Sequence, residues 1–403
     1  MKKDILICVY AMEIGGIERS LINMLESFDY EAYNVDLFIL HHSGEFMDFI
    51  PKEVTILPEK SCYTVFRKSL KQSIKEGHYF SSMIRVISKC RASIIAKREK
   101  FKEGSGYVQM QLDMKYSLYV MPKLPKKYDT AISYAWPHDL VIRKVDADKK
   151  IAWIHTDYSK LEVEPKLDFH IWKQYDYIVA VSEDCGASFF KQYPTLKSNI
   201  HIIENITAPD FIKRLSSEQI ENAMLNDSRF KIITVARLSY AKGIDQAVKA
   251  LKILKDKGFD NIAWYVVGYG GEENTIKDLI TKNRLENDFI LLGKKTNPYP
   301  YIKAADLYVQ PSRYEGKAVT VGEAQILEKP ILITNYSTAS SQLIHDFDGM
   351  ICVNSENDIA NAIKRLYLDS SLRKKLSTNC SNTNYSNGEN LKKLYEIVQE
   401  KYL

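Results

Sequence analysis

The sequence predicts an α/β chain built of two doubly wound domains, and three observations carry that prediction. At 403 residues the chain exceeds what one core usually serves, so two domains of roughly 150 to 200 residues are expected. Short apolar runs alternate with helical stretches along the chain, the pattern of strands and crossover helices around a parallel sheet. The pattern lapses after Ile200–Pro209 and begins again at Phe230, which sets domains at 1–207 and 208–385 with a terminal helix over 386–403.

Composition supports a soluble globular protein: 45% of residues are hydrophobic and mean hydropathy is −0.28. The first apolar run, Ile5–Val9, is too short for a secretory signal or a membrane span and reads as a first strand. Six cysteines without a C-x-x-C spacing suggest neither zinc nor a disulfide framework, and point to a reducing cytoplasm. Behind the first strand, Gly15-Gly16 opens a helix carrying Leu21, Ile22 and Leu25 on one face. Paired glycines let backbone approach a ligand, and the helix start faces an anion. The absence of G-x-G-x-x-G here argues against a dinucleotide oxidoreductase.

Further strand-like runs lie at Val35–Leu40, Val54–Leu57, Thr130–Tyr134, Ile151–Ile154, Tyr177–Val181 and Ile200–Ile203. His155 follows the fourth of these, at the carboxyl end of a strand, where open α/β sheets place their clefts. No second ligand stands at metal spacing from it, so hydrogen bonding is its expected work. The interval 61–127 differs from its surroundings: it holds fifteen Lys or Arg against four Asp or Glu, interleaved with aromatic and aliphatic residues. Between Tyr79 and Ala96 the apolar residues approximate a helical stripe with Arg85, Lys89 and Arg91 nearby. Such a segment suits an anionic membrane surface; packing on its own domain with a solvated basic face is the usual outcome for an amphipathic helix. No nucleic-acid-binding motif accompanies the charge, which argues against a nucleic-acid partner. Arg214 to Arg229 reads as linker and excursion.

The second domain opens with Lys231–Val235, a loop bearing Arg237 and Lys242, and a helix with Ile244, Ala247, Leu251 and Leu254. A planar guanidinium and an ammonium together suit a diphosphate, although two solvated surface cations are the commoner case in isolation. Trp264–Val267 leads into a glycine turn, and Ile290–Leu292 into Gly293 and Lys294. Ala305–Val309 then runs into Pro311-Ser312-Arg313-Tyr314-Glu315-Gly316-Lys317-Ala318-Val319, with Glu323 beyond and apolar residues at helical intervals. Strand, turn and helix in that order aim backbone N–H groups at Gly316, Lys317, Ala318 and Val319 toward an anion. Glu315 and Glu323 stand eight positions apart, about 12 Å along a continuous helix. Carboxylates accept hydrogen bonds from vicinal hydroxyls, so the pair suits the two ends of a nucleotide diphosphate sugar.

This stretch resembles the motif of the retaining glycosyltransferases of the GT-B fold, family 4 (glycosyl transferases group 1), of the bacterial cell-surface polysaccharide type, in which two glutamates flank seven residues. The resemblance spans nearly the whole chain, with Arg237, Lys242, Glu315 and Glu323 as its specific part. It implies GT-B architecture, two Rossmann-like domains facing across a cleft, and transfer of a sugar, from a UDP-sugar foremost, to a glycan or lipid-linked acceptor. It further implies that Arg237 and Lys242 neutralise the leaving diphosphate without a metal or other cofactor. Glu315 would hold the donor sugar and Glu323 the ribose; Gly293 and Lys294 would lie beside the base, Gly15 and Gly16 against the diphosphate, and His155 beside the sugar. The family's Gly-Phe-Gly after the first glutamate is here Gly316-Lys317-Ala318, which leaves donor identity open. The rival readings are a nucleotide-sugar epimerase or hydrolase on the same fold and a catalytically silent binding subunit. Lipid-linked acceptors in the family add an expectation of peripheral attachment to the inner face of the plasma membrane through 61–127.

Overall fold

The computed structural model describes residues 2–101 and 104–400. Lys102 and Glu103 of the basic interval, and Tyr402 of the expected last helix, lie outside them. The chain divides into two compact units, one running to Ile206 and resuming at Gly388, the other Thr207–Asn387.

In the first unit β1 (Lys3–Val9), β2 (Tyr33–Ile39), β3 (Thr55–Ile56), β4 (Lys127–Ser133), β5 (Asp146–Ile154), β6 (Tyr177–Ala180) and β7 (Ile200–Ile202) form a parallel sheet in the order β3-β2-β1-β4-β5-β6-β7. Ile5 pairs with Val35 on one side and with Thr130 on the other. Ile5, Leu6 and Ile7 are fully buried, which is why a run with no polar alternation can be a strand: both faces of the sheet are covered. In the second unit β8 (Phe230–Val235), β9 (Ile262–Val267), β10 (Phe289–Gly293), β11 (Leu307–Gln310), β12 (Ile331–Thr334) and β13 (Met350–Cys352) follow the order β10-β9-β8-β11-β12-β13, again parallel. Chain order reverses between β1 and β4 in one sheet and between β8 and β11 in the other. Open parallel sheets bind ligands beyond the carboxyl ends of the strands at that reversal.

Three expectations need correction. β5 begins at Asp146 rather than Ile151, through the mostly polar run Asp-Ala-Asp-Lys-Lys. A distant segment makes this tolerable: the Lys149 ammonium is buried and donates to the carbonyls of Ile397 at 2.5 Å and of Glu400, while Lys3 donates to that of Val398 at 2.9 Å. The helix Glu389–Gln399 thus has its unsatisfied C-terminal carbonyls capped by two cations. Second, the expected linker is ordered. Helix Pro209–Ser216 buries Phe211, Ile212 and Leu215, and Arg229 is held by Asp227 at 2.7 Å and Asp288 at 2.9 Å. Third, Arg85 is not a surface cation, because its guanidinium donates to the carbonyls of Val65 and Lys68, both at 2.7 Å.

The basic interval folds as helices Ser61–Thr64, Leu70–Lys75, Tyr79–Glu99 and Gly106–Ser117. Between the last two, Asp113 is buried, and loss of hydration pushes its carboxyl up to about 6. A raised acid binds its proton more tightly in the folded chain than in the unfolded one. Stability therefore declines as pH rises from about 4 to about 6, by up to ~3 kcal/mol from this group. Asp113→Asn is expected to gain on the parent by that margin between acidic and neutral pH, read as the difference of their urea midpoints; equal pH profiles would contradict it.

Candidate active site

In the second unit, the loop after β8 and the loop after β11 meet at the sheet's reversal. Gly243, at φ 64°, ends the 3-10 turn Tyr240–Lys242 and starts helix Ile244–Asp256. A Cβ there would sit 2.0 Å from the Pro311 carbonyl oxygen, so only glycine lets the two loops approach. The contact is latched twice. Arg313 N–H donates to the Ala241 carbonyl at 2.7 Å, and the Arg313 guanidinium forks onto Asp245 at 2.8 and 2.7 Å while lying over the Tyr240 ring. Lost hydration pushes the Asp245 carboxyl up, but the hydrogen-bonded Arg313 guanidinium outweighs it and holds the carboxyl below the usual range.

The latch delivers Lys242 to Glu315. The ammonium donates to both carboxylate oxygens, at 2.7 and 2.6 Å. One of those oxygens also accepts from Ser312 at 2.7 Å and from Gln310 at 3.1 Å. Gln310 is fixed in turn by the Tyr308 hydroxyl at 2.6 Å. Glu315 is therefore neither a helix cap nor a solvated charge but a carboxylate aimed by three donors. Arg237 stands differently: it is exposed, with no side-chain hydrogen bond or ion pair among the described residues. Among the described residues its side chain stands open to a new anion at the mouth of β8.

Beyond Glu315 the helix is shorter than the spacing argument assumed. It spans Val319–Ile326, with Ala318 as its non-helical cap at φ −76°, ψ 100°. Gly316, Lys317 and Ala318 therefore precede the helix, the first-turn amides start at Val319, and a continuous rise between the two glutamates does not apply. Glu323 is fully buried on this helix and accepts from the Tyr299 hydroxyl at 3.0 Å. Gly293 closes β10 at φ 72° and accepts from Gly268 N–H at 2.9 Å; Lys294 lies over the Tyr269 ring. Gly268 presses on the Arg237 loop, where a Cβ would strike the Ala236 carbonyl at 1.8 Å. The structure thus gathers Arg237, Lys242 and Glu315 at one strand reversal, with Gly293 and Lys294 at the end of β10.

The first unit brings Gly15, Gly16 and His155 to the carboxyl edge of its own sheet. Gly15 caps helix Gly16–Glu26 after β1. Ser20 of that helix meets the Tyr134 hydroxyl at 2.8 Å, at the end of β4, and the Tyr134 carbonyl accepts from His155 Nε2 at 2.8 Å, at the end of β5. A carbonyl only accepts, so Nε2 carries the proton, and Nδ1 is the bare nitrogen of the neutral ring. Burial pushes the imidazole down to about 4. At neutral pH His155 thus offers Nδ1 as an acceptor and has no second ring proton to give.

Gln310, Ser312, Tyr299 and the Arg313–Asp245 latch escaped the reading of the sequence. Only Ser312 carried a local signal, the Ser-x-x-Glu spacing to Glu315 that elsewhere marks a capping box. Tyr299 and the Arg313–Asp245 latch depend on contacts between residues 24 and 68 positions apart, while Gln310 meets Glu315 from five positions away without a spacing that marks it.

Two parallel doubly wound sheets, each with polar side chains at its own strand reversal, are the features of GT-B chains. Compared with solved structures, the chain resembles a variant of Staphylococcus aureus TarM in complex with fondaparinux, alpha-GlcNAc-glycerol and UDP. The TM-score is 0.69 with 14% identity, over 99% of this chain and all of that one. Residues 216–383 match the family model of glycosyl transferases group 1. Among curated relatives it is 29% identical over 167 residues to the capsular polysaccharide biosynthesis glycosyltransferase CapM of Staphylococcus aureus, covering 40% of this chain and 43% of that one. It is 28% identical over 182 residues to the Escherichia coli UDP-Gal:alpha-D-GlcNAc-diphosphoundecaprenol alpha-1,3-galactosyltransferase, covering 44% and 46%. The chain spans less than half the length of these two relatives.

Proposed function

We propose that the protein transfers a sugar from a UDP-sugar to a hydroxyl of a lipid-linked or other cell-surface glycan, with retention of configuration, as a family 4 enzyme. The observation that carries this reading is the Lys242–Glu315 pair beside the exposed Arg237 at the β8–β11 reversal. Arg237 meets the departing diphosphate, and Lys242, already bridging from the Glu315 carboxylate, shares its remaining donor with a phosphate oxygen. Charge developing in the transition state is met by fixed cations, so the chemistry needs no metal. Glu315, released from part of its hold on Lys242, accepts from donor-sugar hydroxyls. Glu323 accepts from the ribose once the Tyr299 hydroxyl yields its place. In the first unit, Nδ1 of His155 accepts from a sugar or acceptor hydroxyl. No nucleophilic carboxylate is assigned, so departure and attack share one face of the sugar. UDP and glycan ligands in the names of the relatives support the donor and acceptor classes. The acceptor's lipid brings the protein to a membrane's cytoplasmic face through 61–127.

Thermal melting with UDP, GDP, ADP and CMP, each free and as nucleotide sugars, tests the donor site. UDP at ~100 times its dissociation constant is expected to stabilise the parent by about 2.7 kcal/mol. Glu323→Ala should lose most of that response, and stabilisation by none of the four would sink the reading.

A further inference from the structure

Helix Tyr79–Glu99 leaves most of its bulky apolar side chains in solvent. Its inward face is built mostly of small residues: Ser81, Ser82, Ser88, Ala92 and Ala96 are buried, with Ile84 and the partly buried Ile95 as its larger side chains. It packs against helix Gly106–Ser117, which adds the buried Val108 and Leu112 beside Ala92 together with the polar Gln111, Asp113 and Ser117. Its outward face carries the bulk. Tyr79 and Ile94 are each 68% exposed, Met83 52%, Phe80 51%, and Val86 and Ile87 nearly as much. At ~100° per residue these six fall within an arc of roughly 120°, one continuous stripe along a helix about 30 Å long. Exposed apolar side chains scattered singly need no explanation, but a contiguous stripe marks a surface that is covered in use.

The charges beside the stripe select what covers it. On the same side, toward the helix's C-terminal end, stand the exposed Arg91, Lys97 and Arg98, with Glu99 as the only carboxylate of the helix. A second copy of the chain would bring these cations against their equivalents, a like-charge contact that costs affinity. No helix among the described residues is long and apolar enough to cross a membrane, which leaves an arrangement parallel to a surface. We propose that the stripe Tyr79–Ile94 lies in the headgroup layer of an anionic bilayer, with Arg91, Lys97 and Arg98 against its phosphates. Apolar side chains enter the acyl boundary while the basic residues hold the headgroups. This deepens the lipid-acceptor reading and rests on it for its purpose, though its observations come from a different part of the first unit. Arg85, bound inward, takes no part.

The test is flotation of the full chain with phosphatidylcholine vesicles, with and without phosphatidylglycerol. The parent is expected to float with the anionic vesicles and to stay in solution with the neutral ones. Met83→Gln/Ile87→Gln/Ile94→Gln should lose at least tenfold in vesicle affinity, and its melting temperature should hold because all three side chains face solvent. Lys97→Ala/Arg98→Ala should lose roughly 30-fold on anionic vesicles, the effect of two surface charges. Failure of the parent to float, equal flotation of the triple variant, or a dimer in sedimentation velocity that the triple variant abolishes would each overturn the proposal. UDP stabilisation without vesicle binding would remove this surface and leave the transferase reading standing. The reverse result would do the opposite.

Discussion

Arg237→Ala is expected to slow sugar transfer by about 10²–10³ at saturating donor, the usual loss when one fixed group facing transition-state charge is removed. Its melting temperature should match the parent's. The two outcomes separate because the Arg237 side chain is exposed and bonds to nothing among the described residues, so truncation leaves no partner behind. Before the acceptor is identified, slow hydrolysis of a UDP-sugar, with water taking the sugar as UDP leaves, reads the same loss of help to the departing diphosphate. Lys242→Ala makes the informative contrast. It strips Glu315 of a donor bonded to both carboxylate oxygens in a half-buried site, so rate and stability should fall together. If Arg237→Ala turns over like the parent, the diphosphate does not lie at β8.

Gly243→Ala should destabilise the second unit by at least ~2–3 kcal/mol and abolish UDP binding with it. Two costs add: a left-handed backbone imposed on a residue with a Cβ, and a clash with the Pro311 carbonyl at 2.0 Å. Neither relaxes easily, since the loops on both sides are tied by the Ala241–Arg313 backbone bond and the Asp245 fork. Parting the loops relieves the clash but carries Lys242 away from Glu315. A urea melt of the variant, paired with UDP titration, distinguishes this from a local effect. Parent-like stability with parent-like UDP affinity would show that the loops are not held as tightly as the geometry indicates.

Both predictions join features that were legible in the chain to features that were not. The strands were legible because they are buried on both faces: runs such as Ile5–Val9 and Trp264–Val267 read as strands from apolar content alone. The placing of Arg237, Lys242 and Glu315 in loops at strand ends was legible because a short strand–loop–helix unit carries each of them, and local order fixes which side of a sheet such a loop emerges on. The glycine turns were legible for the same reason.

What the sequence by itself determined, then, is the α/β alternation, the two-part division and the residue types gathered at the second sheet's reversal. Tertiary structure alone decided how those residues are held. Spacing along the chain could not show that Lys242 grips Glu315 across 73 positions, that Asp245 and Arg313 lock the loops together, or that Glu323 is buried beneath Tyr299. Nor could it show that a polar lead-in at Asp146 becomes strand because the far C-terminal helix offers carbonyls to Lys149. The basic interval makes the same point in reverse. Its periodicity announced an amphipathic helix, but which face turns inward is set by what packs against it, and here the bulky face was left outside. Periodicity is a property of the chain, whereas burial belongs to the contacts between its distant parts.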